Sequence, residues 1–316
     1  MTTFLIRRMG EILVVLLIMS FVIYSLIGLM PGDPIDLMIS ADPNLTSADA
    51  ARLRNLYGLD QPLASRYLAW LGNAVQGDFG FSRLFAAPAL EVLLPRLGNT
   101  VLLMGLSFVL TLAIAIPLGM LAAARPHSLF DQGVNLLAFA GISVPPFWLA
   151  ILLMLLFAVT LDWLPASGMG ETGDPWWQRA RYLILPTLAL TLASVGTFLR
   201  FTRAAMIEAL RQDYIRTARA KGLSEWQLLA GHALRNAMIP VATVVALSFG
   251  SLFSGALITE TIFGWLGMGK TIFDSIMGND YNLALVGLLF ATAVTLLANL
   301  LADLAYAWLD PRITYR

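Results

Sequence analysis

One octapeptide has the spacing of a nucleotide-handling device. Gly264-Trp-Leu-Gly-Met-Gly269-Lys270-Thr271 satisfies the pattern G-x-x-x-x-G-K-[ST], in which backbone amides cradle phosphates and the lysine meets their charge. That chemistry needs a strand feeding the loop and a helix leaving it, inside a nucleotide-binding α/β domain. Here an apolar run of membrane length precedes the glycines, so the match reads as accidental and the glycines as a tight re-entrant or surface turn. The remaining candidates for chemistry are few. Cysteine is absent, which excludes disulfides, thiolate metal sites and cysteine nucleophiles. His127 and His232 stand in no metal-ligand spacing. Asp303 has Asn299 one helical turn before it, on the same face, at the end of an apolar run. An acid there reads as hydrogen-bonded and structural rather than as part of a proton path.

The elements that must carry these residues are set by composition. Of 316 residues 58% are hydrophobic and 13% charged, with mean hydropathy +0.76, against about 25% charged in soluble domains. The 20 basic and 20 acidic residues cancel, so no global field recruits nucleic acid. A charge in the bilayer core costs several kcal/mol, so long charge-free intervals mark spans. Six reach membrane length: 12–32, 97–124, 132–161, 182–199, 236–259 and 281–302. The fold expected is an all-α membrane protein with six transmembrane helices in a single transmembrane domain. The first interval is too long for a signal peptide and lacks a cleavage site. The third contains Pro145 and Pro146, which leaves two readings: a short helix followed by a span, or one tilted helix with a proline kink.

Lysine and arginine counts orient the chain. With both termini in the cytoplasm, the inner segments hold twelve: Arg7, Arg8, Arg125, Arg200, Arg203, Arg211, Arg216, Arg219, Lys221, Arg235, Arg312 and Arg316. The two short outer loops hold only Arg179, Arg181 and Lys270. The first outer loop, 33–96, mixes seven acids with five arginines and several apolar stretches. It reads as partly folded, either a cap or a docking surface for a soluble partner, or else a solvated connection.

The inner segment 200–235 is the most informative. Residues 214–221 read as a helix, with Gly222 placed for a left-handed C-terminal cap. Ser224 and Gln227 form a capping box opening a second short helix. Such a helix, turn and helix suits insertion into a groove of another protein. A basic amphipathic helix on the membrane surface is equally compatible. No span carries a charge near its middle, which disfavours a proton- or sodium-coupled secondary transporter acting alone and an intramembrane enzyme.

Several motifs together resemble one family. They are Arg7-Arg8, Leu29-Met-Pro-Gly-Asp-Pro34, Leu59-Asp-Gln-Pro62, Trp70-Leu-Gly-Asn73, Gly77-Asp-Phe-Gly-Phe-Ser82, Glu260-Thr-Ile-Phe263 and Leu309-Asp-Pro-Arg312. The most specific is Tyr214-Ile-Arg-Thr-Ala-Arg-Ala-Lys-Gly222 followed by His232-Ala-Leu-Arg-Asn236 and Pro240. The chain resembles the membrane subunits of binding-protein-dependent ABC importers of the dipeptide, oligopeptide and nickel class. It departs from the general family loop, which has Glu-Ala-Ala, three residues, then Gly: Arg216 and Thr217 replace the Glu and first Ala, while Ala218 matches the second. The resemblance implies a non-enzymatic translocation subunit for di- and oligopeptides in the inner membrane, or for a nickel chelate or glutathione-like solute. It implies an ATPase-coupling segment comprising Arg216, Thr217, Ala218, Arg219, Ala220, Lys221, Gly222, Leu223, Ser224 and Glu225. It further implies a second homologous permease subunit, two cytoplasmic ATPases and an extracytoplasmic binding protein as partners, besides membrane lipid. No cofactor is expected in this chain, ATP and Mg being bound by the ATPases.

Overall fold

The structure is a computed structural model that describes residues 2–29, 61–171 and 173–309. Most of the Leu29–Pro34 motif, residues 59–60, and 310–316 with Arg312 and Arg316 lie outside the described residues, as do 33–60 of the first loop. The described chain is mostly helical. Among its helices five are individually long and apolar enough to cross a membrane, or six if one sharply bent pair counts as a span.

The elements in order are α1 (Thr2–Gly28), α2 (Leu63–Val75), strands β1 (Phe81–Ser82) and β2 (Ala87–Pro88), α3 (Ala89–Ala124), α4 (Leu129–Ser143) and α5 (Pro146–Met154), which runs on as a π turn, Leu155–Thr160. There follow α6 (Trp176–Leu210), α7 (Asp213–Ala220), a π segment Gln227–Ala233 leading directly into α8 (Leu234–Ile262), α9 (Met268–Met277) and α10 (Tyr281–Leu309). They form two compact units, Met1–Gly98 with Gly267–Val294, and Asn99–Leu266 with Thr295–Arg316.

In the first unit the helix α2 repeats apolar residues at Leu63, Tyr67, Trp70, Leu71 and Ala74, a 3.6-residue stripe. Tyr67 is buried against α1, its hydroxyl 2.8 Å from Ser20 Oγ and its ring edge-on to Phe21 and Tyr24. The short β1–β2 hairpin is tied to the start of α10 through Asp280, which is 2% exposed. Its carboxylate accepts from Ser82 Oγ at 2.5 Å and Leu84 N at 3.0 Å, and caps α10 through Leu283 N at 3.2 Å. Ala89, Leu93, Met268, Ile272, Leu283 and Val286 form the core beneath it. The loop 33–96, so far as it is described, is therefore folded.

In the second unit α4 crosses α6 through small residues that bring backbones together. A Cβ on Gly196 would collide with the carbonyl of Ala138, and one on Gly141 would stand 3.0 Å from the carbonyl of Leu192. The Arg200 guanidinium lies 4.5 Å over the Phe139 ring. An ion pair between buried Asp131 and half-buried Arg203 adds a polar fastening. Elsewhere in this unit Glu260 is fully buried and accepts from Thr100 Oγ1 at 2.5 Å, while Trp265 Nε1 donates to the carbonyl of Asn99.

Several expectations are refined. The third interval is two helices meeting at 101°, too sharp for a kink in one tilted helix. Val144 is extended as the C-cap of α4, and Pro145 and Pro146 open α5, since neither can continue a preceding helix. The interval 182–199 is only the apolar middle of α6, whose 35 residues extend about 52 Å at 1.5 Å per residue. The turn after α8 is followed by a further helix, α9, absent from the sequence reading.

Candidate functional site

The helix α7 buries two residues one turn apart, Ile215 and Ala218, and exposes the rest. Ile215, wholly buried, sits in a cluster with Met120 and Ala123 of α3, Met206 and Ala209 of α6, Leu229 and Ala233 of the π segment, and Ala237 of α8. A short helix is thereby seated on the ends of three long ones. Eight residues are too few for an isolated helix to persist in water, so this seat is what holds α7 in shape.

The turn that follows is a complete Schellman motif. Gly222 N donates to the carbonyl of Arg219 at 3.0 Å, and Leu223 N to that of Ala218 at 3.4 Å. Gly222 has φ +83°, the left-handed conformation that disfavours any Cβ. Ser224 and Gln227 form the reciprocal capping box: Gln227 Oε1 accepts from Ser224 N at 3.0 Å, and Ser224 Oγ from Gln227 N at 3.4 Å. Arg219 spans the turn to Glu225, at 3.2 Å, and Arg216 pairs with Asp213 at 3.5 Å. Partial burial holds the Tyr214 phenol above its ordinary value, with the Asn236 side chain acting in the opposite direction.

The structure brings the ten candidate residues into one contiguous feature but not onto one surface. Arg216, Thr217, Arg219, Ala220, Lys221, Gly222, Ser224 and Glu225 are exposed. Leu223 is half-buried and Ala218 is buried, so Ala218 packs inward beside Ile215. The second short helix expected after Ser224 is not a separate element, for it continues through the π segment into α8. The cause is the apolar run Leu228, Leu229, Ala233 and Ala237, buried along one side with no proline between. Two exposed aromatics, Trp226 at 61% and Tyr214 at 39%, flank the turn. Large aromatics left exposed beside a rigid turn are the usual anchors of protein interfaces, and that was the available signal for including them.

Asp131 was not among the candidates. Its carboxylate receives Arg203 Nε at 2.5 Å, Arg203 Nη2 at 2.7 Å, His127 N at 2.8 Å and Asn135 Nδ2 at 2.8 Å. With the Asp131 side chain only 3% exposed, removing Arg203 strands the carboxylate's charge at a cost of about 3–5 kcal/mol. Asp303 is half-buried on α10 and Asn299 exposed on the same face.

At the phosphate-loop match a helix, not a strand, leads into the glycines. The chain leaves α8, turns through Gly264 at φ +60°, and enters α9 at Met268. Lys270 Nζ lies 2.6 Å from Asp274 Oδ2 on its own helix.

Long apolar helices, a bent pair and an exposed, rigidly capped turn define a multi-pass integral membrane protein, with no nucleotide-binding domain among the described residues. Family comparison makes the class specific. Residues 1–115 match the N-terminal model of binding-protein-dependent transport system membrane components, and residues 115–315 the inner membrane component of binding-protein-dependent transport systems. The chain belongs to this family of inner-membrane permease subunits. It is 39% identical over 318 residues to the oligopeptide transport system permease protein AppB of Bacillus subtilis (strain 168), covering 100% of both chains. It is 35% identical over 339 residues to the di/tripeptide transport system permease protein DppB of Pseudomonas aeruginosa (strain UCBPP-PA14), again covering 100% of both. Among solved structures it is similar in fold to an inward-facing MetNI methionine ABC transporter, with TM-score 0.56, 16% identity, and coverage of 70% of this chain and 97% of the other. An amino acid ABC transporter solved with histidines gives TM-score 0.52 at 13% identity, covering 69% and 94%.

Proposed function

We propose that this chain is the translocation subunit of an ATP-driven importer of di- and oligopeptides, and that it docks its ATPase through the exposed turn 216–225. The observation that carries the reading is the seating of α7 on the ends of α3, α6 and the π segment that opens α8. A force applied to the turn is delivered to three membrane helices at once. The named relatives, permeases for oligopeptides and di- or tripeptides, support the substrate class.

In this reading both termini and the turn face the cytoplasm, while the hairpin and α2 face outward toward a substrate-binding protein. ATP binding draws two ATPase subunits together, and the docking helix follows as a rigid body, switching access to a path shared with a second permease subunit. The driving free energy is the difference in ATP affinity between the two states. The chain itself breaks no bond. The half-buried Leu223 and buried Ala218 keep the turn in shape, whereas Arg216, Arg219, Lys221 and Glu225 meet the partner.

The decisive experiment is purification of the tagged chain in mild detergent together with its co-expressed partner subunits. ATPase subunits are retained, and reconstituted vesicles accumulate a labelled tripeptide only with ATP and the binding protein. Accumulation by vesicles containing this chain alone would refute the importer reading in favour of a stand-alone transporter.

A further inference from the structure

The Asp131–Arg203 pair joins α4 to the same helix that carries the docking turn. The last turns of α6, at Met206 and Ala209, hold α7 through Ile215. Three residues before Met206, Arg203 presents both Nε and Nη2 to the two carboxylate oxygens of Asp131 near the start of α4. Upstream on α6, Arg200 covers Phe139, and Gly196 abuts the carbonyl of Ala138.

These contacts differ in what they forbid. Close-packed small residues hold two helices together but leave sliding and rotation open at low cost. A planar guanidinium set fork to fork on a carboxylate fixes both separation and orientation. The carboxylate is itself fixed, because His127 N and Asn135 Nδ2 occupy its remaining acceptor sites. Ser128 caps α4 by accepting from Asp131 N at 3.2 Å, which locks the backbone that carries the carboxylate. Neither end of the pair can turn without breaking several bonds.

We propose that Asp131 and Arg203 are positioning residues that make α4, the first arm of the bent pair, travel as one body with the docking helix α7. The proposal rests on ATPase docking at α7. It assigns to an ion pair outside the docking turn the task of carrying displacement from the turn to a helix that contributes no residue to the cluster seating α7.

The test uses the assembled transporter with its partner subunits. Because the chain has no cysteine, a pair of spin labels can be placed in one chain, at Leu136→Cys on α4 and Gln212→Cys beside α7. Their separation is measured by pulsed electron resonance without nucleotide and after trapping with ADP and orthovanadate. In the otherwise unaltered chain the distance distribution is narrow and the same in both states. The double substitution Asp131→Asn with Arg203→Gln removes both charges, so neither is stranded. It retains the ATPase, but the distance broadens and shifts on trapping. Arg203→Lys, which keeps the charge and loses the fork, broadens it to a lesser extent and serves if the double variant does not assemble. An unaltered distance in both variants overturns the clamp and leaves docking intact. A wild-type distance that changes on trapping likewise overturns it. Failure of the unaltered chain to retain ATPase removes the docking reading and the clamp with it.

Discussion

Arg219 reaches across the Gly222 turn to Glu225, Nη2 to Oε1 at 3.2 Å, with both side chains more than half exposed. An exposed pair of this kind contributes at most about 1 kcal/mol. It lies over a turn already closed by two backbone hydrogen bonds, so its charges remain available to a partner while the backbone supplies the shape.

Gly222 is the most sensitive point of that shape. A Cβ would meet nothing within 4 Å, so substitution acts through φ and not through collision. Gly222→Val costs at least about 1 kcal/mol in the left-handed region and reshapes the turn, so ATPase retention and peptide uptake are lost while membrane insertion persists. Gly222→Asn, which tolerates that region, retains most of both. Co-purification and uptake assays on the two variants check this, and equal retention by Gly222→Val and wild type would remove the turn from the docking site.

Ser224→Ala deletes one arm of the capping box. The expected cost is about 1 kcal/mol, giving a partial loss of uptake with the ATPase still bound. Substrate flux per bound ATPase is the quantity to measure, and complete loss would contradict a purely local role for the cap.

Orientation is open to a direct test. Single cysteines at Gln178 and Asn279 react with an impermeant thiol reagent in intact cells, and those at Ser128 and Ser224 react only after permeabilisation. Labelling of Ser224→Cys from outside would reverse the assigned topology.

Lys270 is held 2.6 Å from Asp274 within α9. Lys270→Ala therefore leaves ATP hydrolysis by the assembled complex within about threefold, equivalent to roughly 0.7 kcal/mol. Saturable ATP binding by this chain alone, lost in that variant, would reinstate the phosphate loop.

Gly196→Ala places a Cβ against the Ala138 carbonyl and forces α4 away from α6, at about 1–3 kcal/mol. The thermal midpoint of the detergent-solubilised protein falls. Gly231→Ala, where a Cβ meets nothing within 4 Å and helix propensity improves, is the matched control and does not lower the midpoint.

The helices were legible because charge is costly in hydrocarbon, and the turn because glycine and a capping box leave local signatures at 222 and 224–227. A charge-free interval marks the length that can lie in hydrocarbon, not the length of the helix. Arg200 and Arg203 marked the end of an interval, although α6 carries on through both to Leu210. Asp131 served only as a boundary, since its partner is 72 residues away and nothing local announces that it is buried. The tie between Ser82 and Asp280 spans 198 residues and was likewise invisible. The 101° bend depends on which of two proline outcomes packing selects, which the dipeptide itself does not decide.

That bend has an electrical sign. A broken helix strands amide hydrogens on one side and carbonyl oxygens on the other. Here two of the amides are missing at source, because positions 145 and 146 are prolines, and the carbonyl of Pro145 already receives Trp148 N and Leu149 N. Of the carbonyls closing α4, that of Ala140 is satisfied by Val144 N. The elbow is thus richer in acceptors than donors, and whatever solvates it must arrive hydrogen first.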